Sequence, residues 1–433
     1  MAKNTNVSLR NKVMYSIYVR NHGINGTFKD VEEDLERIKY LGTDIIWLLP
    51  IHPIGTKNKK GTLGCPYAIK NYREVNPDYG NLGDFKRLLN KIHSLGMLCI
   101  IDVVYNHTSP DSFLTENHKP FFYKNIDGRL GNKASDWSDV VDLDYTNKEL
   151  WNYQIETLKY WISLGVDGFR CDVAPLVPLE FWLSARDEVT KVNGNTLWLS
   201  ESVDPSFILS MRKNGFTCLS DSEIYQAFDI AYDYDVNMEY LGYFNGQNSL
   251  KHYIDRVSIQ ESIYPDNYVK LRFLENHDQI RAKNLIHDED ALKIWTGFLY
   301  FQKGCTLLYA GQEAQAVSTP SLFDIDKINW NGVKEDFVEL LKTLGSIKKK
   351  EIMAKGFYEI HTAEDKDVIV ASYSMKNEKI IGIFNVGKQQ GNISINVAEG
   401  EYINIVDGTV VTVIQGKLML ENKVVIFVIQ FDI

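Results

Sequence analysis

The sequence predicts an α/β fold: a closed parallel (β/α)8 barrel of the TIM type, with a short inserted domain B after strand 3 and a C-terminal antiparallel β-sandwich. Three observations predict it. Over the first ~350 residues, short apolar runs alternate with stretches whose apolar residues recur at helical spacing. Eight such runs occur, the number that closes a parallel barrel. From about Gly356 onward the apolar period drops to two, with turn residues between short runs. An open doubly wound sheet is the structural alternative, but "RNHGINGTF" after the first run is not a Gly-rich phosphate loop.

The elements follow in order. "VMYSIYV" (13–19) reads as the first strand. Asp30 then starts a helix, with Glu33 as its capping-box partner, Leu35, Ile38 and Leu41 on one face, and Gly42 as the stop. "DIIWLLP" (44–50) is the second strand, and Phe85, Leu88, Leu89 and Ile92 mark a helix ended by Gly96. "MLCIIDVV" (97–104) is the third. Residues 107–145 then lose any clean period and carry Asn, Asp, Ser and Pro, which marks a small inserted subdomain. Trp151, Ile155, Leu158 and Ile162 give a helix ended by Gly165. "VDGFRCD" (166–172) and "LWLSES" (197–202) are strands four and five, with a helix over Glu180–Val189 between them. "FTCLSD" (216–221), "KLRFLEN" (270–276) and "CTLLYAG" (305–311) complete the eight. The expected domains are therefore a barrel over 1–106 and 146–350, an insertion over 107–145 and a sandwich over 351–433.

Composition narrows the function classes. The 433 residues are 44% hydrophobic and 24% charged, an ordinary soluble profile. A net charge of −10 argues against nucleic acid or an anionic membrane as the main partner and fits a neutral substrate. No apolar stretch near the N-terminus has the length of a signal peptide, and no run approaches a membrane span. A cytoplasmic location is the expectation. The five cysteines are scattered, without a CxxC pair, and read as buried thiols in a reducing compartment.

The polar residues at strand ends carry the chemistry. In a barrel of this kind the site lies at the C-terminal ends of the strands. Asp102, Asn106 and His107 follow strand three, Arg170 and Asp172 end strand four, Glu201 ends strand five, and Glu275, Asn276, His277 and Asp278 end strand seven. Arg170 and Asp172 share a face because side chains alternate with period two. Taken alone, that pair reads equally well as a structural ion pair. Glu201 and Asp278 at two further strand ends weaken that reading, since crowded carboxylates repel. Two carboxylates with separated proton affinities can hydrolyse a glycoside. Asp172, beside Arg170, suits a nucleophile; Glu201, among apolar neighbours, suits the acid/base; Asp278 would hold sugar hydroxyls. A carboxylate triple can instead bind Mg²⁺ or Mn²⁺ and serve a lyase or isomerase.

The motifs resemble the α-amylase family of glycoside hydrolases. "DVVYNHTS" (102–109), "DGFRCDVA" (167–174), "LSES" (199–202) and "FLENHD" (273–278) are similar to its four signatures, in family order. "DLDYTN" (142–147), "GCPYAIKNYREVNPDYG" (64–80) and "YAGQE" (309–313) resemble further family segments. The resemblance implies Asp172 as nucleophile, Glu201 as acid/base, Asp278 as transition-state stabiliser and Arg170 as the residue that orients Asp172. It implies that His107 and His277 bind hydroxyls of the sugar whose bond is cut and that Tyr67 stacks beneath it, with Asp102 in the same substrate-binding set. Asn106 matches a family calcium ligand, so a structural calcium is possible, though no cofactor is required for the chemistry. Two departures stand out: "APLVP" (174–178) replaces a Lys-His pair common in endo-acting members, and Asn71 stands where Asp is common. The implied activity is retaining cleavage of α-1,4-glucosidic bonds in maltodextrins or glucans. The alternatives are glucan transfer on the same substrates, or a non-catalytic binding subunit.

Overall fold

The structure is a computed structural model that describes residues 4–134, 137–318, 321–364 and 366–431. Ser135 and Asp136 of the insertion lie outside the described residues. Eight strands form a closed barrel in sequential order. They are β1 (Val13–Ile17), β2 (Ile45–Leu48), β3 (Leu98–Val103), β4 (Gly168–Cys171), β5 (Leu197–Ser200), β6 (Ile230–Tyr232), β7 (Lys270–Arg272) and β8 (Cys305–Tyr309). The strands are short and buried on both faces, which explains why they read as unbroken apolar runs. The chain divides into two compact units: Met1–Thr5, Met14–Tyr232 and Pro320–Ile328 in one; Asn6–Val13, Asp233–Thr319 and Asn329–Ile433 in the other.

In the first unit, parallel ladders join β1 to β2, β2 to β3, β3 to β4, β4 to β5 and β5 to β6. The register sets Asp102 beside Arg170, and Arg170 beside Leu199. Helices α1 (Phe28–Tyr40), α2 (Leu82–Ser94), α3 (Lys148–Ser163), α4 (Leu179–Thr190) and α5 (Pro205–Lys213) alternate with these strands. Each of α1, α2 and α3 is followed by a glycine at positive φ, Gly42, Gly96 and Gly165, where a left-handed residue stops the helix. In the insertion, two-residue strands at His107–Thr108 and Val141–Asp142 pair antiparallel, putting His107 opposite Asp142.

Two local expectations are corrected. The capping box of α1 is Thr27 with Asp30, not Asp30 with Glu33. Asp30 Oδ2 accepts from the N–H groups of Gly26 and Thr27 at 2.6 and 3.2 Å, and Asn25 donates to Oδ1. The upstream register wins because it satisfies three donors at once. The sixth strand is Ile230–Tyr232, not 216–221. Cys218 instead packs with Val173, Leu176 and Met211, and Phe216 lies against that cluster.

In the second unit, β7 pairs with β8 in parallel, and α6 (Tyr234–Phe244), α7 (Leu250–Ile263), α8 (Glu289–Phe301) and α9 (Glu335–Lys348) accompany them. Two four-stranded antiparallel sheets follow. One joins β9 (Phe357–Thr362), β10 (Ile369–Ser374), β11 (Glu378–Phe384) and β16 (Val424–Gln430). The other joins β12 (Asn392–Ser394), β15 (Lys417–Met419), β14 (Val410–Ile414) and β13 (Gly400–Ile403). One apolar cluster, including Val370, Ile383, Val413, Leu418 and Phe427, draws on both sheets and makes them the predicted sandwich. Among the described residues no helix is long and apolar enough to cross a membrane, and the five cysteines form no disulfide with one another.

Candidate active site

Three strand ends of the first unit converge on one guanidinium. Arg170, on β4, is fully buried. Its Nη1 donates to Asp102 Oδ1 and to Asp172 Oδ1, both at 2.9 Å, and its Nη2 stands 3.0 Å from Glu201 Oε1. Nε donates to the Tyr232 hydroxyl at 3.3 Å. The rings of Trp47, Tyr67 and Tyr232 lie 5.3 to 5.5 Å from the guanidinium carbon. A planar fork suits this task, since one lysine ammonium could not hold two carboxylates on separate nitrogens. Parallel pairing places the backbones: Asp172 N–H donates to Val103 O and Glu201 N–H to Cys171 O, each at 3.0 Å.

The carboxylates are not equivalent. Asp102 is fully buried, whereas the side chains of Asp172 and Glu201 keep 8% and 9% of their surface. Burial pushes Asp102 up to about 7, with Arg170 opposing and the Glu201 charge adding to the rise. Burial counts so heavily because a buried anion loses hydration that one shared cation does not restore. Asp102, which the resemblance places in the substrate-binding set, has no exposed surface. It accepts from Arg170 and from the Tyr67 hydroxyl at 3.1 Å, tying the loop after β2 to β3 and β4.

His107 Nε2 lies 3.8 Å from Asp172 Oδ2. The Asn106 amide faces its other ring nitrogen, Nδ1, at 3.2 Å, which leaves the proton on Nε2. Burial holds the ring's pKa down at about 4, so the histidine is neutral at ordinary pH. In the second unit, the segment after β7 carries its own pair: His277 Nε2 stands 3.1 Å from Asp278 Oδ2, and Asp278 N–H donates to Asn276 Oδ1 at 2.9 Å. Asp278 is 38% exposed, far more than Asp172 or Glu201. Glu275, at the same strand end, is buried against Arg281 at 2.6 Å and the Ala282 N–H.

Three residues near the site escaped the sequence reading. Tyr232 was hidden because β6 is only three residues long, bracketed by Asp229 and Asp233. Trp137 packs its ring 5.3 Å from His107, and nothing in an aperiodic insertion marks one tryptophan. Val173 donates its N–H to Glu201 Oε2 at 2.7 Å from a backbone at φ 33°. That left-handed conformation costs a β-branched residue about 1–3 kcal/mol.

The residues around Asn106 fit a calcium ion poorly. One observation favours a cation: Asn106 Oδ1 is buried without a hydrogen-bond partner. Calcium takes six to eight oxygens. The carboxylate at hand, Asp142, already accepts from the Asn106 amide at 3.3 Å and the Lys133 N–H at 2.8 Å. Among the described residues no group of three or more His, Cys, Asp or Glu could hold a metal.

The chain is similar to proteins already known. Residues 5–127 and 132–350 match the family model described as "Alpha amylase, catalytic domain", and residues 359–427 match "Bacterial Alpha amylase C-terminal domain". A crystal structure of an alpha-amylase from Lactobacillus plantarum is 45% identical with a TM-score of 0.95, covering 98% of this chain and 100% of that one. The noncanonic maltogenic alpha-amylase AmyB from Thermotoga neapolitana is 32% identical with a TM-score of 0.88 over 98% and 100% of the two chains. The alpha-1,4-glucan:maltose-1-phosphate maltosyltransferase of Picrophilus torridus is 30% identical over 241 residues, 49% of this chain. The chain covers only 38% of that protein's length. On the match to both domain models and the two full-length structural likenesses, the chain belongs to the α-amylase family of glycoside hydrolases.

Proposed function

We propose that the protein cleaves α-1,4-glucosidic bonds in maltodextrins or short glucans with retention, by double displacement. The observation that carries the reading is the Arg170 guanidinium, which bridges the largely buried carboxylates of Asp172 and Glu201. Asp172 attacks the anomeric carbon while Glu201 gives its proton to the departing glycosidic oxygen. A glycosyl ester on Asp172 results. Glu201, now ionised, takes a proton from water, whose oxygen attacks the same carbon and releases Asp172. Asp278 stabilises the transition state, and His107 and His277 bind hydroxyls of the sugar being cut, with Tyr67 beneath it. A neutral His107 suits hydroxyl recognition, since a neutral imidazole can both donate and accept. The chemistry requires no cofactor. The location proposed is the cytoplasm, in keeping with five cysteines that form no disulfide; neither nucleic acid nor membrane is a partner.

Glucan transfer is the second reading, favoured by the likeness to named maltosyltransferases. The same ester intermediate serves both reactions, and only the acceptor differs. Products from maltoheptaose, with and without added glucose as acceptor, separate the two. Asp172→Asn and Glu201→Gln should each lower kcat by ~10³-fold or more, since each removes a covalent or proton-transfer step. Near-normal cleavage by Glu201→Gln would overturn the assignment of roles.

A further inference from the structure

Val173 follows the proposed nucleophile directly and begins a short turn over Ala174–Leu176. Its φ of 33° and ψ of 45° lie where glycine is at ease and a β-branched residue is not. Something must hold it there. Its side chain is buried with Leu176, Met211 and Cys218 in a satellite apolar cluster, against which Phe207 and Phe216 pack. Met211 comes from α5 and Cys218 from the segment after it. Its N–H meets Glu201 Oε2 at 2.7 Å, a buried, charge-assisted bond. The other oxygen of Glu201 faces Arg170.

We propose that Val173 is a positioning residue: the cluster clamps its left-handed backbone so that its N–H fixes the orientation and proton affinity of Glu201. The inference rests on reading Glu201 as the acid/base. The charged groups around Glu201 include Arg170 and Asp172 from β4 and its end, and Asp102 from β3. Arg170 and the Val173 N–H favour the ionised carboxylate; Asp102 and Asp172, when charged, favour the proton. Loosening the N–H therefore raises the proton affinity of Glu201. The protonated form is the active acid, so the basic limb of the pH–rate profile moves to higher pH.

The test compares wild type with Val173→Gly, Val173→Ile, Met211→Ala and Glu201→Gln on maltoheptaose, reading kcat, KM and the pH profile. Val173→Gly accepts the backbone without strain but frees the N–H. Its kcat should fall about 10- to 100-fold, the range for a misaligned hydrogen bond to a charged group, with KM little changed and the basic limb raised. Val173→Ile keeps the β-branch and should restore near wild-type values. Met211→Ala loosens the clamp from its far side and should move the limb in the same sense. It carries the test if Val173→Gly fails to fold. An unmoved basic limb and wild-type kcat in Val173→Gly, or an unmoved limb in Met211→Ala, would overturn the proposal while Glu201→Gln stays inactive. Activity retained by Glu201→Gln would instead bring down the functional reading itself.

Discussion

One arginine among three carboxylates leaves a surplus of negative charge, and the protein answers by letting Asp102 hold its proton up to about pH 7. That has a consequence for stability. A carboxyl raised in the folded state contributes stability that is complete below its unfolded value near 3.8 and is lost as pH rises through about 7. His52 works the other way. Buried, and donating Nδ1–H to Glu74 O at 3.0 Å, it is held down at about 4. Its contribution is present above 6.5 and lost as pH falls through about 4. Between pH 4.5 and 6.5 the two oppose each other. His52→Asn should flatten the rise of stability with pH by up to about 1.4 kcal/mol per pH unit, and Asp102→Asn should steepen it by a similar amount. Urea unfolding of the three proteins across that range checks both signs. The residues of the chemistry were legible because charge at the end of an apolar run is conspicuous. The contact of Asp102 with Arg170 was not: the two lie 68 positions apart in sequence, and no local pattern says that Asp102 will be wholly buried while Asp172 and Glu201 keep a little surface.

At the scale of elements, strand spacing sets the reach of Asp172 and Glu201, which follow β4 and β5 directly. Gly168 opens β4 where the two strands meet. A Cβ there would lie 2.3 Å from Leu197 O and 2.9 Å from Leu197 Cβ. Gly168→Ala must push β5 away and should lower stability by roughly 1–3 kcal/mol, with kcat reduced along with it. Urea unfolding and maltoheptaose turnover read the two effects. The capping box of α1 is more local. Thr27→Ala should cost about 1 kcal/mol of stability with kcat unchanged, again read by urea unfolding and turnover. Long amphipathic helices and fully buried strands were legible from period and stop signals. The sixth strand was not, because "IAY" is too short to stand out and "FTCLSD" offered a longer apolar run nearby. Tertiary packing assigned that run to the cluster beneath Val173. The register of the Thr27 box was likewise decided by donors outside the repeat, at Asn25 and Gly26.

At the scale of the whole molecule, the order of motifs along the chain made the family resemblance visible, and matches to both domain models agree with it. The surroundings of Asn106 bear on what the molecule needs. With Asp142 already engaged by an amide and a backbone N–H, chelator treatment should leave turnover and melting temperature unchanged. A fall in both that added calcium reverses would show that the insertion holds a metal after all. By itself the sequence determined seven of the eight barrel strands, the switch to a two-residue period near Gly356 and the carboxylates at strand ends. These are written in local periodicity, and burial enforces them wherever the chain goes. Only the tertiary structure decided that one guanidinium would serve three carboxylates, that Asp102 would sink beneath the site and that Val173 would turn left-handed toward Glu201. Those outcomes depend on which distant groups meet in a low-dielectric interior, where a hydrogen bond gained or lost outweighs any local preference of the chain.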